Sequence, residues 1–305
     1  MTIGWYPGHM ATALRELKTV MNRTDVVIEV VDARLPESSA NPVLRELRGP
    51  RPCIVLMNKN DLADGAVTRL WIRHFEKSAG VAALPVDARE SQLARKIVKL
   101  CQVLAPQTRR SCRALVVGIP NVGKSTLINT LAGKTVALVG NKPAVTRETK
   151  YVELRNGVDV WDSPGMLWPN LRDQVAAHRL AASGAIGENA YDITEIALFL
   201  IEHMVRAYPK LLMARFKLES VDGSPLELLE AIARHRACFI RKGDLDLERA
   251  AHLVTQDFRG GKLGHVSLES PPLATVESTT ADVSGDAVAP SEAEPNQTES
   301  EPPLT

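Results

Sequence analysis

The segment GIPNVGKS over residues 118–125 constrains this chain more than any other part of it. It has the GxxxxGK[ST] spacing, an apolar run before it at 114–117 and a helical pattern after it at 126–131. In that strand–loop–helix setting the glycines turn successive backbone N–H groups toward phosphate oxygens, and the helix N-terminus favours an anion. Such a loop needs a parallel sheet behind it. Apart from Glu29, residues 26–31, 53–57 and 114–119 are apolar on both faces, as strands covered on both sides by helices must be. Residues 151–154 and 158–161, joined through Asn156 and Gly157, read as a hairpin. Met10, Leu14, Leu17 and Met21 share one face of an opening helix; Leu93, Ile97, Leu100 and Leu104 share another, behind a Ser91 cap. The expectation is a three-layer α/β domain with a mostly parallel sheet over residues 1–172.

Residues 173–266 have a different character. Ile193, Ile196, Ala197, Leu200 and Ile201 describe a largely buried helix that stops before Pro209. Ser224, Pro225 and Glu227 supply an N-cap, a proline at the first helical position and the partner of a capping box, and Leu228, Leu229 and Ile232 continue that helix. Leu247, Ala250, Val254 and Phe258 repeat the pattern, so the segment reads as a small all-helical domain. From Ser267 onward the chain is too poor in bulky apolar residues to fold alone, and 267–305 reads as a disordered acidic tail with eight acids and no Lys or Arg. The helical segment holds 12 basic and 13 acidic residues, which leaves 25 basic against 15 acidic in 1–172, a surplus of +10 beneath an overall charge of +1. That asymmetry points to a polyanionic partner, with Lys96, Lys99, Arg109, Arg110 and Arg113 as candidate phosphate contacts. The four cysteines are far apart with no CxxC pair, which argues against zinc or a disulfide framework and for a reducing cytoplasm. No apolar run approaches the roughly 18–20 residues of a membrane span, and the first thirty residues do not have a secretory signal's pattern.

The chemistry concentrates in loops that follow strands. NKND at 58–61 closes the second apolar run. There Asp61 accepts from guanine N1–H and the 2-amino group, which adenine does not offer, while Asn58 and Lys59 brace the loop and pack on the base. Asn121, Val122, Gly123, Lys124, Ser125 and Thr126 form the phosphate side, Lys124 reaching the β- and γ-phosphates and Ser125 ligating Mg2+. DSPG at 162–165 places Asp162 on Mg2+ through water and Gly165 N–H against the γ-phosphate, and Thr146 is the switch threonine that joins the Mg2+ only with GTP bound. Asp87 and Ala88 fall at the fifth motif, the Ala88 N–H aimed at guanine O6 and Asp87 standing where serine is usual. The order is unusual: base recognition precedes the phosphate loop. The loops need only meet at the C-terminal edge of the sheet, so joining the old termini and cutting elsewhere keeps the site intact. The expected fold is therefore a circularly permuted P-loop GTPase domain followed by a small all-helical domain. Its second switch runs through Met166, Leu167, Trp168 and Pro169 straight into the helices, a short route for transmitting γ-phosphate loss.

WYPGHMA at 5–11, DARLP at 32–36, GIPNVGKSTLIN at 118–129, DSPGMLWP at 162–169 and DFRGGKLG at 257–264 extend the pattern to about residue 268. In these motifs the chain resembles the ribosome biogenesis GTPase A family of bacterial large-subunit assembly factors. The resemblance implies GTP hydrolysis and GTP-dependent binding to an immature 50S particle with contacts to ribosomal RNA, and neither DNA nor a membrane as partner. Ala40 stands for an expected Arg, Ala144 for a Gly and Ser163 for the commoner Thr, none of them at a phosphate or base contact. Met166 occupies the place of the glutamine that orients water in many GTPases, and an apolar side chain cannot do that. Asn121, where similar GTPases help bind K+ beside the phosphates, and His9, able to position or activate water, are the candidates for that role. Two rival readings stay open here. One is an RNA-binding scaffold with nucleotide as a structural plug; the other is a P-loop kinase, disfavoured because it needs no NKND or switch threonine.

Overall fold

The computed structural model describes residues 9–106, 111–137, 149–154, 157–167, 173–241 and 243–272, with the side chains of 9–13 excepted. A six-stranded sheet organises the first half. Its strands are β1 (Val26–Asp32), β2 (Cys53–Asn58), β3 (Val81–Pro85), β4 (Cys112–Val117), β5 (Lys150–Glu153) and β6 (Val158–Asp162). They lie in the order β3-β2-β1-β4-β6-β5, with β5 antiparallel to β6 and every other pair parallel. The register pairs Asp32 with Asn58 and Met57 with Pro85, so the loops after β1, β2 and β3 leave the same edge.

Every position of β1 and β2 is buried, which explains why both read as apolar runs, broken inside only by the buried Glu29 of β1. Alternate residues feed two cores. Val27, Val31, Val55, Met57, Leu115 and Val117 pack with Leu17 and Met21 of α1 (His9–Met21), Leu44 of α3 (Pro42–Arg48), and Trp71 and Phe75 of α4 (Gly65–Phe75). On the other face Ile28, Val30, Ile54, Leu56 and Val116 share a core with α5 (Leu93–Leu104) and α6 (Lys124–Ala132). That second core continues without a break into α7 (Gln174–Ser183), α8 (Ile193–Ala207), α9 (Pro209–Phe216), α10 (Pro225–His235) and α11 (Leu247–Arg259). Residues through Pro271 accordingly form one compact unit, and the boundary read at residue 172 lies outside the described residues.

Several local expectations meet their structure directly. The hairpin partners β5 and β6 pair, α8 ends two residues before Pro209, and Ser224 and Glu227 exchange both capping-box bonds. Others are corrected. Ser91 does not cap α5, which starts at Leu93 behind Gln92 with no side-chain cap. β3 escaped the sequence reading because its alanine-rich run is an only partly buried edge strand. The tail read from Ser267 begins later, because Ser267, Leu268 and Glu269 are buried. They form a strap. Val266 N–H donates to Leu62 O (3.0 Å), Leu268 N–H to Arg34 O (2.7 Å), and Trp71 Nε1 to Glu269 O (3.2 Å). The Glu269 carboxylate accepts the Glu37 and Ser38 N–H groups (2.6 and 2.9 Å) at the start of the short helix α2 (Pro36–Ser39), and pairs with Arg179 (2.9 Å). The strap stays folded because Val266 and Leu268 join the second core while the polar atoms of Ser267 and Glu269 find partners.

Candidate active site

The phosphate loop spans the end of β4 and the start of α6. Gly123 has φ 104°, and a Cβ there would collide with the Asn58 side chain, so glycine lets this loop lie against the one after β2. Ser125 and Thr126 are half-buried in the first turn of α6, where free N–H groups and the helix dipole favour anions. Lys124 is buried, and its Nζ donates to Gly118 O (3.0 Å) and Ile119 O (2.8 Å). Burial pulls its pKa down to about 8, with the nearby Asp162 carboxylate acting the other way. At the end of β6, burial pushes Asp162 up to about 6, opposed by Lys124 and Lys150. Asp162 Oδ1 is buried with no hydrogen-bond partner among the described residues. An orphaned buried carboxylate oxygen, with the Ser125 hydroxyl beside Lys124 as a second oxygen donor, suits a bound cation, so the residues fit a divalent ion.

Asn58 ties three loops together. Its Nδ2 donates to Val122 O in the phosphate loop (2.7 Å), and its Oδ1 accepts the Ala88 N–H (2.9 Å). The Ala88 N–H, expected to face guanine O6, thus braces Asn58 in this structure; Ala88 O in turn accepts from Thr130 Oγ1 (2.6 Å). Asp61 is exposed in a 3-10 turn over Asn60–Leu62, and Asp87 is half-buried across from it. Lys59 takes a left-handed conformation (φ 59°) and sends Nζ to Asp32 Oδ2 (2.9 Å). Asp32 also receives the Arg34 fork through Nε and Nη2 (2.9 and 2.8 Å). Although burial works the other way, Arg34 and Lys59 hold Asp32 well below the usual carboxylate range. Arg34 then donates Nη1 to Phe258 O (3.0 Å), with its guanidinium 4.4 Å from the Phe258 ring centroid. A charged chain therefore runs from the base-recognition motif to the end of α11.

The second switch is pinned on both sides. A Cβ on Gly165 would lie 2.8 Å from Pro120 Cα and 3.0 Å from Lys124 Nζ, so only glycine allows DSPG this close to the phosphate loop. Met166 N–H donates to Gly118 O (3.3 Å), and Met166 O accepts from Asn41 Nδ2 (3.0 Å). The Met166 side chain is buried in the core. Asn121, with φ 57°, donates Nδ2 to Gly184 O (2.8 Å) at the C-cap of α7. Arg259 grips the same helix end through Ala182 O (3.0 Å) and Ala181 O (2.9 Å). His9 opens α1, but its side chain, like the whole of Thr146, lies outside the described residues.

A sequence profile of the 50S ribosome-binding GTPase family matches residues 113–229. Ribosome biogenesis GTPase A of Bacillus cereus is 39% identical over 281 residues, spanning 89% of this chain and 95% of the relative. Its Thermotoga maritima counterpart is 32% identical over 269 residues, 88% of this chain and 95% of the relative. Two solved YlqF structures, one GDP-bound and one GNP-bound from T. maritima, each match with TM-score 0.62 at 29% identity, over 84% and 86% of this chain and 99% of theirs. The chain belongs to the ribosome biogenesis GTPase A family.

Like its family, the chain is a GTPase of ribosome assembly. The family signatures DARLP and DFRGGKLG, visible in the sequence without a role, acquire one as the Arg34–Phe258 joint. Asn41, Arg34 and Arg89 were missed as site residues because their partners lie 125, 224 and 28 positions away. Of the basic residues expected to meet RNA, Arg113 is instead paired with Asp25 (3.1 Å), Lys96 and Lys99 are exposed, and Arg109 and Arg110 lie outside the described residues.

Proposed function

We propose that this GTPase binds an immature large ribosomal subunit in its GTP state, contacts ribosomal RNA, and leaves after hydrolysis, in the cytoplasm. In this reading residues 1–172 carry the nucleotide chemistry and the helices of 173–266 meet the particle. The supporting observation is the hydrogen bond from Asn121 Nδ2 to Gly184 O (2.8 Å). A phosphate-loop side chain holds the cap of the first helix after the second switch, so a displacement of that loop displaces α7. Lys124 exchanges its two carbonyl partners for β- and γ-phosphate oxygens, an attraction strengthened by its burial. Ser125 and Asp162 would hold Mg2+, with Thr146 joining them in the GTP state, and a bound ion would supply charge neutralisation at the phosphates. Asn58, Lys59, Asp61, Asp87 and Ala88 form the guanine side. Met166 is buried, so the attacking water is positioned from elsewhere, by His9 or by K+ held beside Asn121.

The test is co-sedimentation with large-subunit particles in a non-hydrolysable GTP analogue and in GDP, joined to single-turnover hydrolysis in K+ and in Na+. The expected result is particle binding with the analogue, release with GDP, and faster turnover on the particle. His9→Ala should bind GTP normally and hydrolyse it about 10²–10⁴-fold more slowly. Equal sedimentation in both nucleotides without stimulated turnover would support the scaffold reading instead. A full His9→Ala rate with strong K+ dependence would assign the role to the ion at Asn121.

A further inference from the structure

The fifth-motif loop carries Asp87 where serine is usual, and the geometry gives that departure a use. Asp87 is almost wholly engaged by Arg89. Arg89 Nε lies 2.8 and 3.0 Å from its two carboxylate oxygens, Nη2 lies 2.6 Å from Oδ2, and the Arg89 main-chain N–H lies 3.0 Å from Oδ1. These hydrogen bonds hold the Asp87 carboxyl below its ordinary value. The guanidinium is thereby fixed, and Nη2 reaches across to Asp61 Oδ2 (2.9 Å). Asp61 ends NKND on a 3-10 turn with its side chain 41% exposed, a setting that by itself leaves a short carboxylate free to rotate.

We propose that Arg89 is a positioning residue for nucleotide specificity: braced by Asp87, it fixes the Asp61 carboxylate in the orientation that reads guanine. The proposal rests on the reading of Asp61 as the guanine acceptor. One Arg89 bond on Oδ2 leaves Oδ1 and the other lone pair of Oδ2 to accept the two guanine donors, because a carboxylate offers about four acceptor sites. A planar fork is needed on the Asp87 side, since only bidentate geometry fixes the direction in which the remaining N–H points. The Arg89 side chain is 68% exposed, so the pair adds little to folding stability, and its effect belongs in discrimination between bases. Serine at position 87 could not hold the fork.

The experiment uses the full-length protein and competes unlabelled GDP, IDP and XDP against a fluorescent GDP. Hypoxanthine keeps N1–H and has no 2-amino group, so a misoriented Asp61 costs GDP more than IDP. Arg89→Ala should weaken GDP about tenfold, the scale of one misaligned hydrogen bond, and IDP about twofold, lowering the GDP/IDP preference about fivefold. Arg89→Lys should not restore the preference. Asp87→Ser should resemble Arg89→Ala, and the double variant should be no worse than either. Melting temperatures within about 1 °C of the parent exclude general unfolding as the cause. An unchanged GDP/IDP preference overturns the proposal, and so does tighter GDP binding by Arg89→Ala, which would make Arg89 a competitor of the base. Asp61→Asn separates the levels. If it does not move preference from GDP to XDP, the guanine-site reading itself fails. If it does while Arg89→Ala changes nothing, only the positioning role fails.

Discussion

Replacing Asn58 by alanine should damage the nucleotide site and the fold together, because one side chain joins three loops. The change removes the bonds to Val122 O (2.7 Å) and from Ala88 N–H (2.9 Å), and both of those residues are buried. Each backbone group left without a partner costs about 1–3 kcal/mol, hence about 2–6 kcal/mol together. For a unit of about 270 residues the unfolding entropy is near 0.6 kcal/mol per degree, which converts the loss to a drop of roughly 3–10 °C in melting temperature. If a quarter of that cost recurs when nucleotide assembles the loops, GDP affinity falls by about two- to tenfold, since each 1.4 kcal/mol is a factor of about ten. Thermal melting without nucleotide and a fluorescent-GDP titration read the two effects separately. Asn58→Asp keeps the acceptor for Ala88 and turns the other bond into a repulsion with Val122 O, so it should be no better than alanine. A melting temperature within about 1 °C of the parent, with affinity changed less than twofold, would refute the bracing role.

Three further outcomes follow from the same geometry. Asp162→Asn should abolish the Mg2+-dependent part of GTP affinity and leave the affinity measured in EDTA unchanged, and removing a buried charge whose Oδ1 has no partner should not lower the melting temperature of the nucleotide-free protein. Arg34→Leu strips the guanidinium fork from buried Asp32, leaving it Lys59 and the main-chain N–H of residue 34, and should cost about 3–5 kcal/mol, seen in melting and partly recovered when Asp32→Asn is added. Burial, with Arg206 and Arg179 nearby, holds the His203 imidazole below its ordinary 6.5, against the opposing pull of the hydrogen bond between Nε2 and Ser267 O (2.9 Å). The unfolded chain takes up that proton first, so the stability is present above pH about 6.5 and is lost as pH falls below it, by at most about 1.4 kcal/mol per unit. Melting curves between pH 7.5 and 5.5 should show that slope, and His203→Gln should flatten it.

What the sequence could show was what its spacing encodes. GxxxxGK[ST] fixes its loop because each residue has a set task at a set separation, and β1, β2 and β4 are legible because double burial demands mostly apolar runs, interrupted inside only by Glu29 and Arg113. β3 was not legible, since an edge strand of Val, Ala and Leu with only Ala83 fully buried gives no periodic signal. α7 hides for a related reason: its buried face is built mostly from alanines, which pack closely and scarcely raise a hydrophobic pattern. Composition misplaced the start of the tail because Glu269 is buried against Arg179 and the first turn of α2, an arrangement that no local window contains. The same limit applies to Arg34 and Asn41. They are ordinary polar residues until the chain brings Phe258 and Met166 to them.

The strap from Val266 to Glu269 also sets an order of events during synthesis. Leu62, Asp64, Trp71, Ser38 and Arg34 are translated early, yet each bonds a partner between positions 258 and 269. The base-recognition half thus emerges first and is completed last, when nearly the whole described chain has left the exit tunnel. Such long sequence separations slow the final closure and keep early segments waiting with unpaired groups. A nascent chain cut short before Val266 would carry NKND, the phosphate loop and DSPG, yet its base loop would lack the Val266 N–H and Ser267 hydroxyl that bond Leu62 and Asp64. In this permuted arrangement the loop that ends NKND is buttressed by residues translated some 203 positions later, so it is complete only when the folded body has been made.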